Sequence, residues 1–337
     1  MTMLQILWFF LIGLLFAAFF FLDGFDYGVG MAVKTLAHNE AERTQLIRTI
    51  GPVWDGNEVW LITAGGAMFA SFPYWYATLF SGYYLILLVI LVGLIIRGVS
   101  FEFRAQSPMA KKPLWDNALA LGSLIVPFFF GVMFISMIKG MPIDAQGNIQ
   151  AHFFDYFNWF SIVGGVALTL LTYLHGLNYI ALKTTGAIQA RAQNYSQAFY
   201  WVLYLGEVVF ALLLLFQTDF IKVHPLATLL GLALIVAFSV LAHANTFKNR
   251  NGWAFVFSGL TLVSLVALLF SGLFPRLMIS SISSQYDLMI KSASSSNYTL
   301  IVMTIATLVL VPCILVYTAF AYWIFRKRIE MPRVEVR

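Results

Sequence analysis

The sequence predicts an all-α integral membrane protein with about nine spans, and three observations carry that prediction. Hydrophobic residues make up 61% of the 337 and charged residues only 10%, against roughly 25% charge in soluble domains. Mean hydropathy is +0.84. Apolar runs of the roughly 20 residues needed to cross a bilayer core recur along the whole length, separated by polar loops. Backbone groups in hydrocarbon must be satisfied within each segment, which makes the spans helices. Residues 1–337 therefore read as a single integral membrane domain. The net charge of +5 does not mark nucleic-acid binding, because the basic residues are scattered among loops between apolar runs. Cys313, the one cysteine, lies in the last run, which excludes a disulfide framework within the chain and any CxxC metal or CxxCH haem-attachment motif.

Taken in order, the runs cover residues 4–33, 53–70, 74–97, 114–138, 155–182, 196–217, 222–244, 251–273 and 298–325. The first lacks a basic leading region and a small-residue cleavage site, so it reads as a retained span, not a signal peptide. Sixteen of the twenty Lys and Arg residues fall in the loops after spans one, three, five and seven or in the C-terminus. Cytoplasmic loops are enriched in these residues, so the expected topology has the N-terminus outside and the C-terminus, with Arg326, Lys327, Arg328, Arg333 and Arg337, in the cytoplasm. The loop 34–50, with Glu40, Glu42, Arg43 and Arg48, suits a helix on the cytoplasmic surface. A serine-rich loop, 275–297, lies on the outer side.

Two segments place acids in this apolar context: 21–30 (FLDGFDYGVG) and 51–60 (GPVWDGNEVW). A charged side chain at a membrane helix centre costs roughly 2.5–3.5 kcal/mol on insertion scales, so such residues read as functional. Asp23 and Asp26 are spaced i, i+3, as are Asp55 and Glu58, which places each pair along one helix face. At 1.5 Å per residue Asp26 sits about 10 Å inside the cytoplasmic end of the first span. A carboxylate at that depth is within reach of cytoplasmic protons. Gly24, Gly28 and Gly30 around the first pair, and Gly51, Gly56, Gly65 and Gly66 around the second, suit close helix packing about a buried polar site. Arg97, at the end of the third span with Glu102 and Arg104 beyond it, is a candidate ion-pair partner for Asp26 or Asp55, and positive-inside anchoring explains it almost as well. Glu207, near the middle of the sixth span, is either functional or hydrogen-bonded to a neighbouring helix.

The run DGFDYGVG followed by GPVWDGNEVWLITAGGAMFASFP resembles the second, haem-free subunit of cytochrome bd-type quinol oxidases. RGVSFEFR (97–104), WAFVFSGLTL (253–262) and VPCILVYTAFAYW (311–323) are similar too, while 145–251 is distinctive only in hydrophobicity. The resemblance implies a respiratory-chain oxidoreductase in the bacterial cell membrane that passes electrons from a quinol to dioxygen and draws protons from the cytoplasm. It implies a haem-bearing partner, subunit I, holding b-type and d-type haems, and a possible small accessory subunit; membrane lipid, quinol and dioxygen complete the expected partners, without nucleic acid. By the same resemblance Asp55 and Trp54 belong to the segment lining the proton route, Asp26 is a second acidic station and Glu58 a plausible third; of the four acids Asp26 and Asp55 carry the assignment, and Asp23 and Glu58 remain possible bystanders. Arg97 is also a candidate for a haem propionate of the partner.

No cofactor or metal is assigned to this chain. Haem iron needs axial ligands; of the five histidines His38, His152 and His224 lie in loops or at span edges, and His175 and His243 remain, a lone membrane histidine being more often a packing residue. Trp60 and the run Ala64, Gly65, Gly66, Ala67 border either an apolar passage for dioxygen or, more simply, a close helix contact. Intramembrane acids are also used by proton-coupled secondary transporters, the alternative function, although the inverted repeats of such folds are not evident. A purely structural assembly subunit is a third reading.

Overall fold

The computed structural model describes residues 1–330; Arg333 and Arg337 of the charge count lie outside them. The chain is helical almost throughout, in the order α1 (Met3–Leu22), α2 (Gly24–Thr35), α3 (Glu40–Ile50), α4 (Trp54–Ser71), α5 (Pro73–Gly82), α6 (Tyr84–Gln106), α7 (Lys112–Lys139), α8 (Trp159–Lys183), α9 (Ala187–Gln217), the single turn α10 (Phe220–Val223), α11 (Pro225–Phe247), α12 (Asn251–Leu273), the single turn α13 (Ile290–Ala293) and α14 (Asn297–Ile324). A short antiparallel pair, β1 (Arg276–Met278) and β2 (Leu288–Met289), lies between α12 and α13.

Among the described residues eight helical stretches are long and apolar enough to cross a membrane, the first running through α1 and α2 as Met3–Thr35. The remaining expected span, 53–70, is the 18-residue α4, whose first two turns carry Asp55, Asn57 and Glu58 and lower its hydropathy below that of the others. α4 ends where Pro73 follows, since the residue before a proline avoids helical geometry, and Pro73 then opens α5. The expected third span is therefore divided: α5 turns into α6 at Tyr83.

Glycines set the closest helix contacts. A methyl group on Gly28 of α2 would fall against Thr172 and 2.6 Å from the Cα of Gly176 on α8, so these backbones meet directly. Gly122 of α7 is packed in the same way on Gly93 and Arg97 of α6. The expectation of close packing holds for Gly24, Gly28 and Gly30. It fails around Asp55: a methyl on Gly56, Gly65 or Gly66 would meet nothing within 4 Å. Gly56 and Gly66 are exposed and Gly65 is half-buried, so none of the three makes a close helix contact among the described residues.

The basic loops converge at one end of the bundle. Asn39 caps α3, accepting from the Glu42 backbone at 3.0 Å, and acids in the first turn with Arg48 in the last complement the helix dipole. α3 is tied down by Glu40 to Arg104 (2.9 Å) and Lys112 (3.3 Å) and by Glu42 to Arg191 (2.5 Å). Gln45 donates to the Ile329 carbonyl, and Lys183 donates to the carbonyls of Phe325 and Lys327. The helix expected in 34–50 is thus present and anchored. At the opposite end, Arg276 pairs with Asp219 at 2.7 and 2.8 Å. The serine-rich loop folds back there onto this chain, with Ser295 donating to Ser71 and Met141 to Ile279.

Candidate functional site

The junction of α1 and α2 is where the first acid sits. Asp23 caps one helix and begins the next: its N–H donates to Phe19, while Asp26 and Tyr27 donate back to its carbonyl. The glycine face of α2 sinks against α8, which turns Asp23 and Asp26 towards α4 and α6. Both acids are fully buried.

Arg97 of α6 meets them. Counted above as a loop cation, it is instead completely buried within its helix. Its Nη2 lies 2.8 Å from Asp23 Oδ1 and 3.8 Å from Asp26 Oδ2, and its Nη1 lies 2.5 Å from Glu58 Oε1. The guanidinium sits 4.6 Å from the Tyr27 ring centre and 5.9 Å from that of Trp54, arrangements in which an aromatic quadrupole attracts a cation. Trp54 is stacked in turn on Phe101 at 4.8 Å. One buried cation therefore faces three carboxyl groups. The set is electrically neutral when two of the three hold a proton, and a low-dielectric interior favours such balance.

The arrangement differs from the expected pairing of Arg97 in two ways. Asp23 and Glu58, regarded as possible bystanders, are the closest partners of Arg97. Asp55 is exposed and makes no ion pair among the described residues, so it does not pair with Arg97. The reason is helical phase: the buried stripe of α4 runs through Asn57, Trp60, Ala64 and Met68, and Asp55 lies about 200° round from Asn57. Asp55 and Glu58 flank the open side, with the Glu58 side chain 22% accessible.

Three residues not singled out from the sequence complete the site. Asn57 Nδ2 donates to Asp26 Oδ2 at 2.7 Å, and Tyr322 of α14 donates its hydroxyl to Asn57 Oδ1 at 2.9 Å. Asp26 Oδ1 has no hydrogen-bond partner among the described residues. Tyr27 supplies the ring beneath Arg97. An asparagine on the apolar stripe of α4 was a readable signal, since a buried amide needs partners. The part played by Tyr322 was not readable, because its partner is 265 residues away.

Other candidates lie apart from this cluster. Trp60 is buried on the α4 stripe. Gly65 and Gly66 are not helix contacts but line an apolar groove of about 660 Å³ with Phe16, Leu61 and Phe69. His175 is held at both ring nitrogens: Nε2 donates to the Phe21 carbonyl at 2.9 Å, Nδ1 lies 2.8 Å from the Ser258 hydroxyl, and the ring stacks on Phe255. Those bonds suit a packing residue and leave neither nitrogen directed at iron. His243 Nδ1 contacts the Tyr204 hydroxyl at 2.8 Å. No group of three or more His, Cys, Asp or Glu suited to a metal occurs among the described residues. Glu207 faces an apolar cavity of about 340 Å³ and has one buried oxygen without a partner among the described residues.

Comparison with known proteins identifies the family of the chain. The family model for cytochrome bd terminal oxidase subunit II matches residues 4–325. The chain is 47% identical over 331 residues to the cytochrome bd ubiquinol oxidase subunit 2 of Bacillus subtilis (strain 168), covering 98% of both chains. It is 33% identical over 370 residues to the cytochrome bd-I ubiquinol oxidase subunit 2 of Escherichia coli (strain K12), covering 98% of this chain and 97% of that one. A chain from the structure of the bd oxidase of Geobacillus thermodenitrificans shares the fold, with a TM-score of 0.72 at 17% identity over 97% of this chain and 100% of that chain. This chain belongs to the cytochrome bd terminal oxidase subunit II family.

Proposed function

We propose that, within a quinol oxidase of this family, the Asp23–Asp26–Glu58–Arg97 cluster takes up protons from the cytoplasm and passes them towards a haem-bearing partner subunit. The observation that carries this reading is the fully buried Arg97 facing three carboxyl groups. A lone ion pair would suffice for packing; the surplus of acids supplies places for protons. Glu58 and exposed Asp55 form the accessible rim, and Asp26 is the inner station. Asn57 orients Asp26 and is itself oriented by Tyr322, while Arg97 limits the negative charge that develops when a proton leaves.

Family membership favours this reading over the transporter alternative. The haems, b-type and d-type, belong to the partner and supply the redox chemistry there; quinol and dioxygen are the complex's substrates. Subunit I docks on α4 and α14: Gly56 and Gly66 of α4 are exposed, and the apolar surface of α14 is almost wholly uncovered and calls for a cover. A small accessory subunit completes the assembly. Residues 1–337 act as one membrane domain, its buried apolar residues forming one cluster that runs through the spans. The end that gathers α3 and the basic loops faces the cytoplasm, with the N-terminus outside.

Asp26→Asn and Asp55→Asn are expected to slow quinol-driven oxygen consumption roughly tenfold or more, by the loss of a proton-transfer group, with the haem bands of the purified complex unchanged. Full turnover in both variants would remove the proton-uptake role. Loss of haem would point to the structural assembly reading instead. A stable purified complex without haem bands in its reduced-minus-oxidised spectrum would remove the oxidase reading itself.

A further inference from the structure

We propose that a lateral groove on the bundle, bounded by α2, α7, α8 and α9, binds an anionic phospholipid, with an acyl chain in the groove and the phosphate at Lys34. The groove has a volume of about 700 Å³, and its length is lined by apolar side chains including Met31, Leu121, Leu124, Phe128, Val166 and Phe199. Its polar residues gather at one end, where Lys34, Thr35, Asn117 and Tyr173 meet. There the Thr35 and Tyr173 hydroxyls lie 2.7 Å apart, pinning α2 to α8. Thr169, further along, already donates to the Gly165 carbonyl, so the deep part of the groove is functionally apolar.

Length and charge both select the occupant. From Asn117 to Phe128 the groove follows α7 for about 16 Å at 1.5 Å per residue. One leaflet of a hydrocarbon core some 30 Å thick has a depth of about 15 Å. The polar end is the end that carries α3 and the basic loops, so the groove runs from that membrane surface to the midplane. Lys34 is exposed and has no acidic partner among the described residues. The acids nearby are already engaged: Glu40 by Arg104 and Lys112, Glu42 by Arg191, and Asp116 by Arg104. An unneutralised cation at the interfacial end of an apolar groove matches a phosphate joined to an acyl chain. An uncharged isoprenoid would use the groove but not the lysine, and free phosphate would use the lysine but not the groove.

The test uses the detergent-purified protein with its co-purifying subunits, stripped of loosely held lipid and incubated with mixed micelles containing equal phosphatidylglycerol and phosphatidylethanolamine. Retained lipid is counted by native mass spectrometry. The wild type is expected to retain phosphatidylglycerol preferentially. Lys34→Ala should reduce that retention about fivefold, the factor one interfacial lysine contributes; Leu121→Trp, which fills the groove without touching the charge, should reduce it at least as much. Equal retention of the two lipids by the wild type, or unchanged retention in both variants, overturns the proposal. So does a retained quinone that is lost in Leu121→Trp but kept in Lys34→Ala. Unchanged haem bands in each variant confirm that the fold is intact.

Discussion

A fully buried guanidinium is costly to hold in a membrane bundle, and Arg97 is tolerated because Asp23 and Glu58 hold its two terminal nitrogens at 2.8 and 2.5 Å. Removing one partner of a buried pair leaves an uncompensated charge, at a cost of about 3–5 kcal/mol. Arg97→Gln is therefore expected to lower the thermal inactivation midpoint of the purified complex strongly, and adding Asp23→Asn to recover part of the loss. Equal losses in the single and double variants would show that the pair does not hold the site together. The four acids were legible as candidates from residue type and spacing. Their ranking was not, because which acid faces Arg97 depends on the rotation of α4, and the buried stripe through Asn57 and Trp60 turns Asp55 outward.

Among the helices, the decisive contact is between α2 and α8. Gly28 and Gly176 let two backbones touch, and this close approach sets the acid-bearing face of α2. Gly28→Leu is expected to lower stability by roughly 1–3 kcal/mol or more through overpacking, whereas Gly206→Ala, where a methyl meets nothing within 4 Å, should be nearly neutral. Comparison of the two inactivation midpoints checks this. A second interaction between elements joins the α9–α10 connection to β1. Two hydrogen bonds from Arg276 hold the Asp219 carboxyl below the usual carboxylate range. A lowered folded value means that the pair stabilises this end fully above about pH 4, the ordinary carboxylate value, and loses that contribution as pH falls through the lowered value. Burial acts first on Asp287, raising its carboxyl, so that residue contributes in the opposite sense. Hydrogen-exchange protection across residues 276–289, corrected for the intrinsic rate at each pH, should fall below pH 4 in the wild type, and Asp219→Asn should remove most of that acid dependence.

At the scale of the whole molecule, the four clusters of basic loop residues expected on one side are drawn to one end, and the loops after the first, third and fifth spans are joined there by ion pairs through α3. The other asymmetry is lateral. α8 is mostly buried, whereas only 6% of the most apolar stretch of α14 is covered by this chain. Cys313, exposed on α14, reports on that face. A membrane-permeant thiol reagent is expected to label Cys313 readily in the separated chain and at least severalfold more slowly in the assembled complex. Equal labelling would place the partner elsewhere.

The sequence by itself determined the all-helical membrane class, the approximate spans, the sidedness of charge and the two acidic segments, because these follow from composition and from contacts within a turn or two of helix. It also supported the family assignment, through motifs that are contiguous in the chain. Only the tertiary structure decided that Arg97 is a buried hub, that Asp23 and Glu58 bind it while Asp55 faces outward, and that Tyr322 reaches Asn57 from the last helix. Those outcomes depend on how helices rotate and how closely their backbones approach. Glycine contacts between α2 and α8 and between α6 and α7 set both, across separations that no local pattern encodes.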